Sequence, residues 1–405
     1  MKGLVEAYRA LSEVYLRKSW IGEAVKQQGD ALLQNKGSFR LVYGVVEHEF
    51  LFEYRIARFA EKSPKPAVKI LLKMGMYLAE FSDLPDHAAV SEIVKTAKAV
   101  GKGGVGGFLN AFLRRYVTEG KSLMPQKQEE ILSVKANLPV WLVRRYQKEL
   151  GDKATERLLA PRDDRTHVRA SFAFGNSALA KVLAERGISA EQTEYGFFIR
   201  EVGKLSDLLK EGKATVMSYG SASVCAALPY EGGKILDLCA APGGKSVFLA
   251  EKFGAEVLAC DLYPHRVELI EKYAERMGVT TIRAIVHDGT VEKEEWQNAF
   301  PAVLLDAPCS GLGSLSSNPD VALNRTPEDL TAIIETQKRL IVRAAEYVAK
   351  GGVLLYATCS DLPSEDEDIV KFLAEMGNFA LEKQCYTDPI KGGGESYYYA
   401  LLRKQ

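Results

Sequence analysis

From residue 231 onward the chain alternates short apolar runs with longer amphipathic segments, a rhythm that few architectures accept. KILDLC, EVLACD, IRAIVHD, AVLLDA and GGVLLYATC read as strands, with helical segments such as PHRVELIEKYAERMG and LTAIIETQKRLIVRAAEYVAKG between them. That alternation predicts a parallel sheet with helices on both faces. In such a sheet ligands bind at the carboxyl edge of the strands, so the residues just after each strand carry the chemistry. Two strands end near a cysteine, Cys309 in VLLDAPCSGLG and Cys359 in LLYATCS, and a third, ILDLCAAPGGKS, runs into a glycine-rich turn.

A chain of 405 residues has room for two or three cores. It holds no apolar stretch long enough to span a bilayer, so no membrane partner is expected. The N-terminal MKGLVEAYRALSEVYLRKSW is broken by charges throughout and reads as a helix of a cytoplasmic protein, not a signal peptide. The net charge of zero conceals a split. Residues 1–200 hold 32 Lys+Arg against 23 Asp+Glu, and residues 201–405 hold 21 against 30. A basic half joined to an acidic one suits a protein whose first half meets a polyanion. The cysteines, Cys225, Cys239, Cys260, Cys309, Cys359 and Cys385, include no C-x-x-C pair, and the histidines are scattered. Neither a metal site nor a disulfide framework is expected.

Residues 1–120 read as all-helical, with Val90, Ile93, Val94 and Ala97 on one stripe of a helix. GKGGVGG at 101–107 joins two helical patterns, which makes it an inter-helix connection and not a phosphate loop. Residues 121–163 add a further helix or two after Pro139, with a break at Gly151. Arg144, Arg145 and Lys148 beside Tyr146 are candidate phosphate contacts there, the alternative being an ordinary solvated helix face. Residues 164–210 form a small module, strand-like HVRASFAF and YGFFIR around helical ALAKVLAERG.

The strand-end residues point to one reaction. In Asp237–Ser246 a strand meets a tight turn where Gly243 and Gly244 allow close backbone approach, and a helix follows. Asp261 ends the next strand, where a carboxylate can accept both hydroxyls of an adenosine ribose. Asp288 ends the third and can accept from an adenine amino group. Together they specify an adenosine-containing cofactor, while the absence of G-x-G-x-x-G and Walker patterns disfavours a dinucleotide or ATP. Asp306, Pro308 and Cys309 follow on the next strand. Carbon 5 of cytosine becomes nucleophilic only after a thiolate adds at carbon 6, and a base must later take the carbon-5 proton before the thiol leaves. Asp306 is placed to assist at the ring's N3 side.

The motifs LDLCAAPGGKS, LLDAPCSGLG and LLYATCS resemble those of the Nop/Sun family of RNA 5-methylcytosine methyltransferases. The resemblance implies a Rossmann-like α/β methyltransferase domain, S-adenosyl-L-methionine as donor and a cytidine in RNA as acceptor. It implies Cys359 as nucleophile, Cys309 as the residue that assists release, and Lys245 and Asp306 as holders of the base. It places the cofactor on Cys239, Ala240, Ala241, Pro242, Gly243, Gly244, Lys245, Asp261, Arg266, Asp288 and Asp306. FRLVYGVVEHE, ILLKMGMYLAEFSDLPDHAAVSEIVKTAK and GGFLNAFLRR are similar to a NusB-like RNA-binding domain, a pairing that implies small-subunit ribosomal RNA as substrate. Transfer RNA, large-subunit RNA, or a non-catalytic RNA-binding assembly role are the alternatives. The expected organisation is a NusB-like all-α domain at 1–122, a helical linker at 123–163, a small α+β, RRM-like module at 164–210 and the catalytic domain at 211–405, in a monomer. The chain departs from the family pattern at Arg169-Ala170-Ser171, Ser218-Tyr219, Ser316-Ser317-Asn318-Pro319-Asp320, Glu365-Asp366 and Tyr397-Tyr398-Tyr399. Of these, the segment 316–320 lies where RNA would be expected to pass.

Overall fold

The apolar stripes of the first 120 residues become helices that bury one another. The computed structural model describes residues 3–33, 35–160, 165–387 and 395–405. It divides into a helical unit, Met1–Leu159 with Asn318–Arg325, and a second unit holding the rest. The helix Pro66–Phe81 is the axis of the first unit, buried along Ile70–Ala79 and flanked by Leu4–Arg17, Lys36–Glu47, Asp86–Ala99 and Gly106–Arg115. Glycine sets one of these approaches: a Cβ on Gly44 would lie 2.0 Å from the Tyr77 ring. The glycine-rich stretch forms a short 3-10 turn, Gly103–Val105, between two helices, as its pattern predicts.

Charges inside this unit are paired. Lys73 Nζ lies 2.6 Å from Glu49 and 2.7 Å from Glu53, and the Tyr15 hydroxyl donates to Glu49 at 2.6 Å. Arg55 is held by Glu80 at 2.6 Å and by the Tyr116 hydroxyl at 2.8 Å. Such pairs offset the several kcal/mol that an isolated buried ion would cost. Two of the candidate phosphate contacts on the helix Val140–Leu150 form ion pairs within the chain. Arg144 binds Glu129 at 2.8 Å and Arg145 binds Glu149, while Tyr146 is buried and Lys148 is exposed. Within the segment 316–320 Ser317 and Asn318 are exposed, whereas Asp320 is 1% exposed and accepts the backbone N–H of Ile21 at 2.7 Å. Its carboxylate thus meets the positive end of the helix Ile21–Gln27.

The second unit begins with a small antiparallel sheet. Its strands are β1 (Thr166–Ala170), β2 (Ala190–Gln192), β3 (Phe197–Ile199) and β4 (Ala214–Val216), in the order β2-β3-β1-β4. The helix Asn176–Glu185 contributes Leu179 and Leu183 to its core. HVRASFAF and YGFFIR supply β1 and β3. The three-residue β2 and β4 are too short to show a period, and β4 carries the sheet past residue 210.

The main sheet comprises β5 (Ile235–Asp237), β6 (Val257–Asp261), β7 (Ile282–Val286), β8 (Phe300–Asp306), β9 (Val348–Thr358), β10 (Phe379–Tyr386) and β11 (Tyr398–Lys404). Its order is β10-β11-β9-β8-β5-β6-β7, with β5 to β9 parallel and the last two strands antiparallel. Alternate residues serve opposite cores. Ala302, Leu304, Val353 and Leu355 join the helices Tyr219–Ala226 and Gly244–Phe253, while Val303, Leu305, Leu354 and Tyr356 join Pro327–Tyr347 and Glu367–Ala374. Burial on both faces explains why these strands read as unbroken apolar runs. The chain steps outward from β5 through β6 to β7, then returns to place β8 and β9 on the other side. The crevice between the carboxyl ends of β5 and β8 is therefore the topological switch point.

Two helical glycines give opposed expectations. Gly44→Ala should cost about 1–3 kcal/mol by overpacking Tyr77. Gly22→Ala, in a helix with nothing within 4 Å of the added carbon, should be neutral or stabilising by up to ~1 kcal/mol. Thermal melting of both variants checks the pair.

Candidate active site

Strand β5 ends at Asp237, and the chain turns through Cys239–Gly243 into the helix Gly244–Phe253. Gly243 holds φ +104°, and an added Cβ would lie 3.1 Å from the Cα of Ile270. Its freedom is thus spent on the left-handed turn and on close approach of the helix Pro264–Met277. The turn is fastened by the N–H of Ala240 on Cys260 O at 2.8 Å and the N–H of Gly243 on Ala240 O at 2.8 Å. Cys239 is pushed well above the ordinary thiol value by burial, with the Asp237 carboxylate adding to the effect.

Asp261, at the end of β6, is 4% exposed and accepts the N–H of Ala241 at 3.3 Å. Arg266 stands 3.4 Å from Asp261 and donates to Ala241 O at 3.4 Å. Asp288 follows β7, and its Oδ1 accepts from the Thr290 N–H at 2.9 Å and the Thr290 hydroxyl at 2.7 Å. Those donors hold its carboxyl below the ordinary range. Asp237 is fully buried; Ser246 donates to its Oδ2 at 2.6 Å, and its Oδ1 has no partner among the described residues. Burial pushes Asp237 up to about 7 despite the Ser246 donor, with the Asp306 carboxylate adding.

Asp306 ends β8 across the crevice, and the Lys245 ammonium reaches it at 2.7 Å. Burial alone would lower the lysine, but the Asp306 carboxylate overrides it and holds the ammonium above its ordinary value. β8 and β9 run parallel with Asp306 opposite Ala357. Just beyond this register the sulfurs of Cys309 and Cys359 lie 3.0 Å apart. Cys309 is held well above the ordinary thiol value by the hydrogen bond with Cys359 and by burial. Tyr397 joins the two pairs. Its ring centroid is 5.4 Å from Lys245 Nζ, and the electrostatic influence of both Lys245 and Cys359 reaches its phenol.

The structure therefore pairs Lys245 with Asp306 and Cys309 with Cys359, four residues that the motifs single out, with the acidic strand ends beside them. Sequence reasoning marks Tyr397 and Glu365 only as departures from a pattern. Glu365 is buried behind both cysteine loops and accepts from Ser310 and Ser360, the residues after the two cysteines. Serine directly after each cysteine was its available signal. Of the other departures, Ser171 is buried and caps a turn by accepting from the Phe174 N–H at 3.2 Å. Ser317 donates to Glu395 at 2.5 Å, and the Tyr219 ring lies tilted against that of Tyr195, with centroids 5.5 Å apart. Among the described residues no group of three His, Cys, Asp or Glu could hold a metal, and no helix is long and apolar enough to cross a membrane.

The sheet order, its switch point and the acidic strand ends are those of a Rossmann-like S-adenosylmethionine-dependent methyltransferase, joined in one chain to a helical unit. Residues 224–400 match the 16S rRNA methyltransferase RsmB/F family, and residues 5–118 match the NusB family. A probable ribosomal RNA small subunit methyltransferase B of Bacillus subtilis is 33% identical over 87% of this chain and 83% of its own. A ribosomal RNA small subunit methyltransferase B of Erwinia tasmaniensis is 30% identical over 99% of this chain and 96% of its own. The chain belongs to this family of rRNA methyltransferases. Among solved structures, PH0851 matches with a TM-score of 0.83 over 99% of both chains at 23% identity. NSun6 from Pyrococcus horikoshii, solved with SFG, matches with 0.57 over 66% of this chain and 98% of its own at 19% identity. These two likenesses are of fold.

The residues fit an S-adenosylmethionine ligand. Its ammonium would supply the donor that the buried Asp237 Oδ1 lacks. Asp237 also makes a pH prediction. Its folded value of about 7 lies above the ordinary 3.8, so its cost is absent below pH 4 and grows as pH rises toward 7. Asp237→Asn without cofactor should therefore gain stability relative to the parent as the solution is taken from pH 4 toward pH 7, by about 1.4 kcal/mol for each tenfold fall in proton concentration, and level off above that. Parallel melting curves across that range check it, and a pH-independent difference would count against the assignment.

Proposed function

We propose that the protein methylates carbon 5 of a cytidine in small-subunit ribosomal RNA through a covalent Cys359–cytosine adduct. The observation that carries this reading is the 3.0 Å apposition of two thiols just past the carboxyl ends of adjacent parallel strands, with Lys245 paired to Asp306 at the end of β8. S-adenosylmethionine supplies the electrophilic methyl group. Cys239–Lys245, Asp261, Arg266, Asp288 and Asp306 would hold it, with the N-terminus of the helix Gly244–Phe253 favouring its carboxylate.

This chain's residues do the rest. The Cys359 thiolate adds to carbon 6 of the ring, and the displaced electron pair makes carbon 5 nucleophilic. An ammonium carries three donors, of which Asp306 takes one, so Lys245 can also donate to the ring edge where negative charge develops. After transfer a base takes the carbon-5 proton, the carbon 5–carbon 6 double bond reforms, and the carbon–sulfur pair returns to Cys359. Cys309, held in its thiol form, donates its S–H to that departing sulfur. RNA is the partner of the basic, NusB-matching half.

Tritiated methyl transfer to unmodified small-subunit RNA, with denaturing gels to detect adduct, tests the assignment. Cys359→Ala should abolish both product and adduct. Cys309→Ala should accumulate adduct and lower turnover about 10²-fold or more. An adduct that persists in Cys359→Ala would reverse the two roles. The same assignment predicts that iodoacetamide at pH 8 modifies Cys359 before Cys309, whose thiol resists ionisation. Peptide mass spectrometry reads that order, and earlier modification of Cys309 would contradict it.

A further inference from the structure

We propose that Glu365 is a positioning residue that sets the separation of Cys309 and Cys359 and thereby the rate of release of methylated RNA. The ladder of β8 and β9 ends before either cysteine, so something past the strand ends must hold the loops together. Glu365 closes the short turn Pro363–Glu365 and is fully buried. Its Oε1 accepts the Ser310 N–H at 2.7 Å and the Gln337 amide at 3.2 Å. Its Oε2 accepts the hydroxyls of Ser310 at 2.5 Å and Ser360 at 2.6 Å. One carboxylate thus grips the residue after each cysteine.

The grip passes into both loops. The Ser310 hydroxyl also accepts the Leu312 N–H at 3.4 Å, and the Ser360 hydroxyl accepts the Leu362 N–H at 3.2 Å. Each serine therefore orders its own loop while donating to the shared acid. Gln337 braces the arrangement from the helix Pro327–Tyr347, since its amide also donates to Pro308 O at 3.0 Å. Four donors on two oxygens call for an acceptor-only group, which an ionised carboxylate is. A glutamine could keep part of the tie. Its oxygen would face the two N–H donors, and its amide would face two hydroxyls that can turn to accept. Alanine would remove the tie altogether.

Dibromobimane, which links two nearby thiols, reports the separation without RNA or turnover. Mass spectrometry of the 309–359 bridged peptide from the full-length protein should show at least about a threefold loss in Glu365→Ala and retention of most of the bridge in Glu365→Gln. The double variant S310A/S360A, which keeps the acid, should show an intermediate loss and serves if Glu365→Ala does not fold. Unchanged bridging in a folded Glu365→Ala, or in S310A/S360A if that alone folds, would overturn the positioning role.

The release role rests on the cytosine-adduct reading above and has its own measurement. Steady-state turnover of Glu365→Ala should fall about 10²-fold while single-turnover methyl transfer falls much less, with adduct accumulating. Equal loss in both regimes would overturn the release role. Lost bridging with no adduct in any form, parent and Cys309→Ala included, would overturn the adduct reading and leave the positioning role standing.

Discussion

The register between β8 and β9 is the constraint on which the site depends. Asp306 stands opposite Ala357, so Cys309 lies three residues beyond the pair and Cys359 two. A slip of one residue would shift one strand by about 3.3 Å, more than the whole sulfur–sulfur distance of 3.0 Å. Such a slip would also exchange the faces of every side chain on the strand. Leu304 and Leu355 are committed to one core and Leu305, Leu354 and Tyr356 to the other, all with essentially no exposure. Burial on two faces thus fixes the register, and the register brings the thiols together.

Charge is handled differently in the two units. Lys73 and Arg55 in the helical unit are closed in by carboxylates and tyrosines, with side chains 3% exposed. Their neighbours satisfy them as part of the core. The Lys245–Asp306 pair is more open, at 13% and 27% exposure. Among the described residues the lysine donates one hydrogen bond, to Asp306, and the Tyr397 ring lies 5.4 Å from its ammonium. Asp237 behind it is buried with one oxygen unpartnered, an expensive arrangement unless a ligand brings a donor.

The inner parallel strands are legible in the sequence because they are buried on both faces and read as apolar blocks, and the less buried edge strand β7 is legible by its β-branched residues Ile282, Ile285 and Val286. The antiparallel β10 is not. FALEKQCY lies at the sheet edge with Ala380 through Lys383 exposed, so no apolar period marks it. β11 reads YYALLRK, a run that suits helix or strand equally until its pairing with β9 is seen. Strand-end acids and cysteines are legible because open parallel sheets put chemistry there. The partners of Asp320 and of the Arg144–Arg145 face are not legible in the sequence for a common reason. Whether a charged group meets a phosphate, a carboxylate or a helix end depends on partners distant in sequence: Ile21 is 299 residues from Asp320. Glu365 escapes notice because its significance lies in two serines on different strands.

Proton counting explains why two cysteines serve where one nucleophile would do. Two sulfurs 3.0 Å apart in a half-buried crevice cannot both be thiolates, because each anion opposes the ionisation of the other. Burial and the hydrogen bond with Cys359 both favour the thiol form of Cys309. In the proposed adduct mechanism, a thiol that donates its S–H to the departing sulfur stabilises the charge arriving there. An adduct at carbon 6 is broken by departure of that sulfur, so the gain falls on the step that frees the RNA. A lone cysteine would have to leave without that donor. In that reading the second thiol is a release device whose value depends on hydrogen-bond distance, and the sheet register and the Glu365 carboxylate are the two features that bear on that distance.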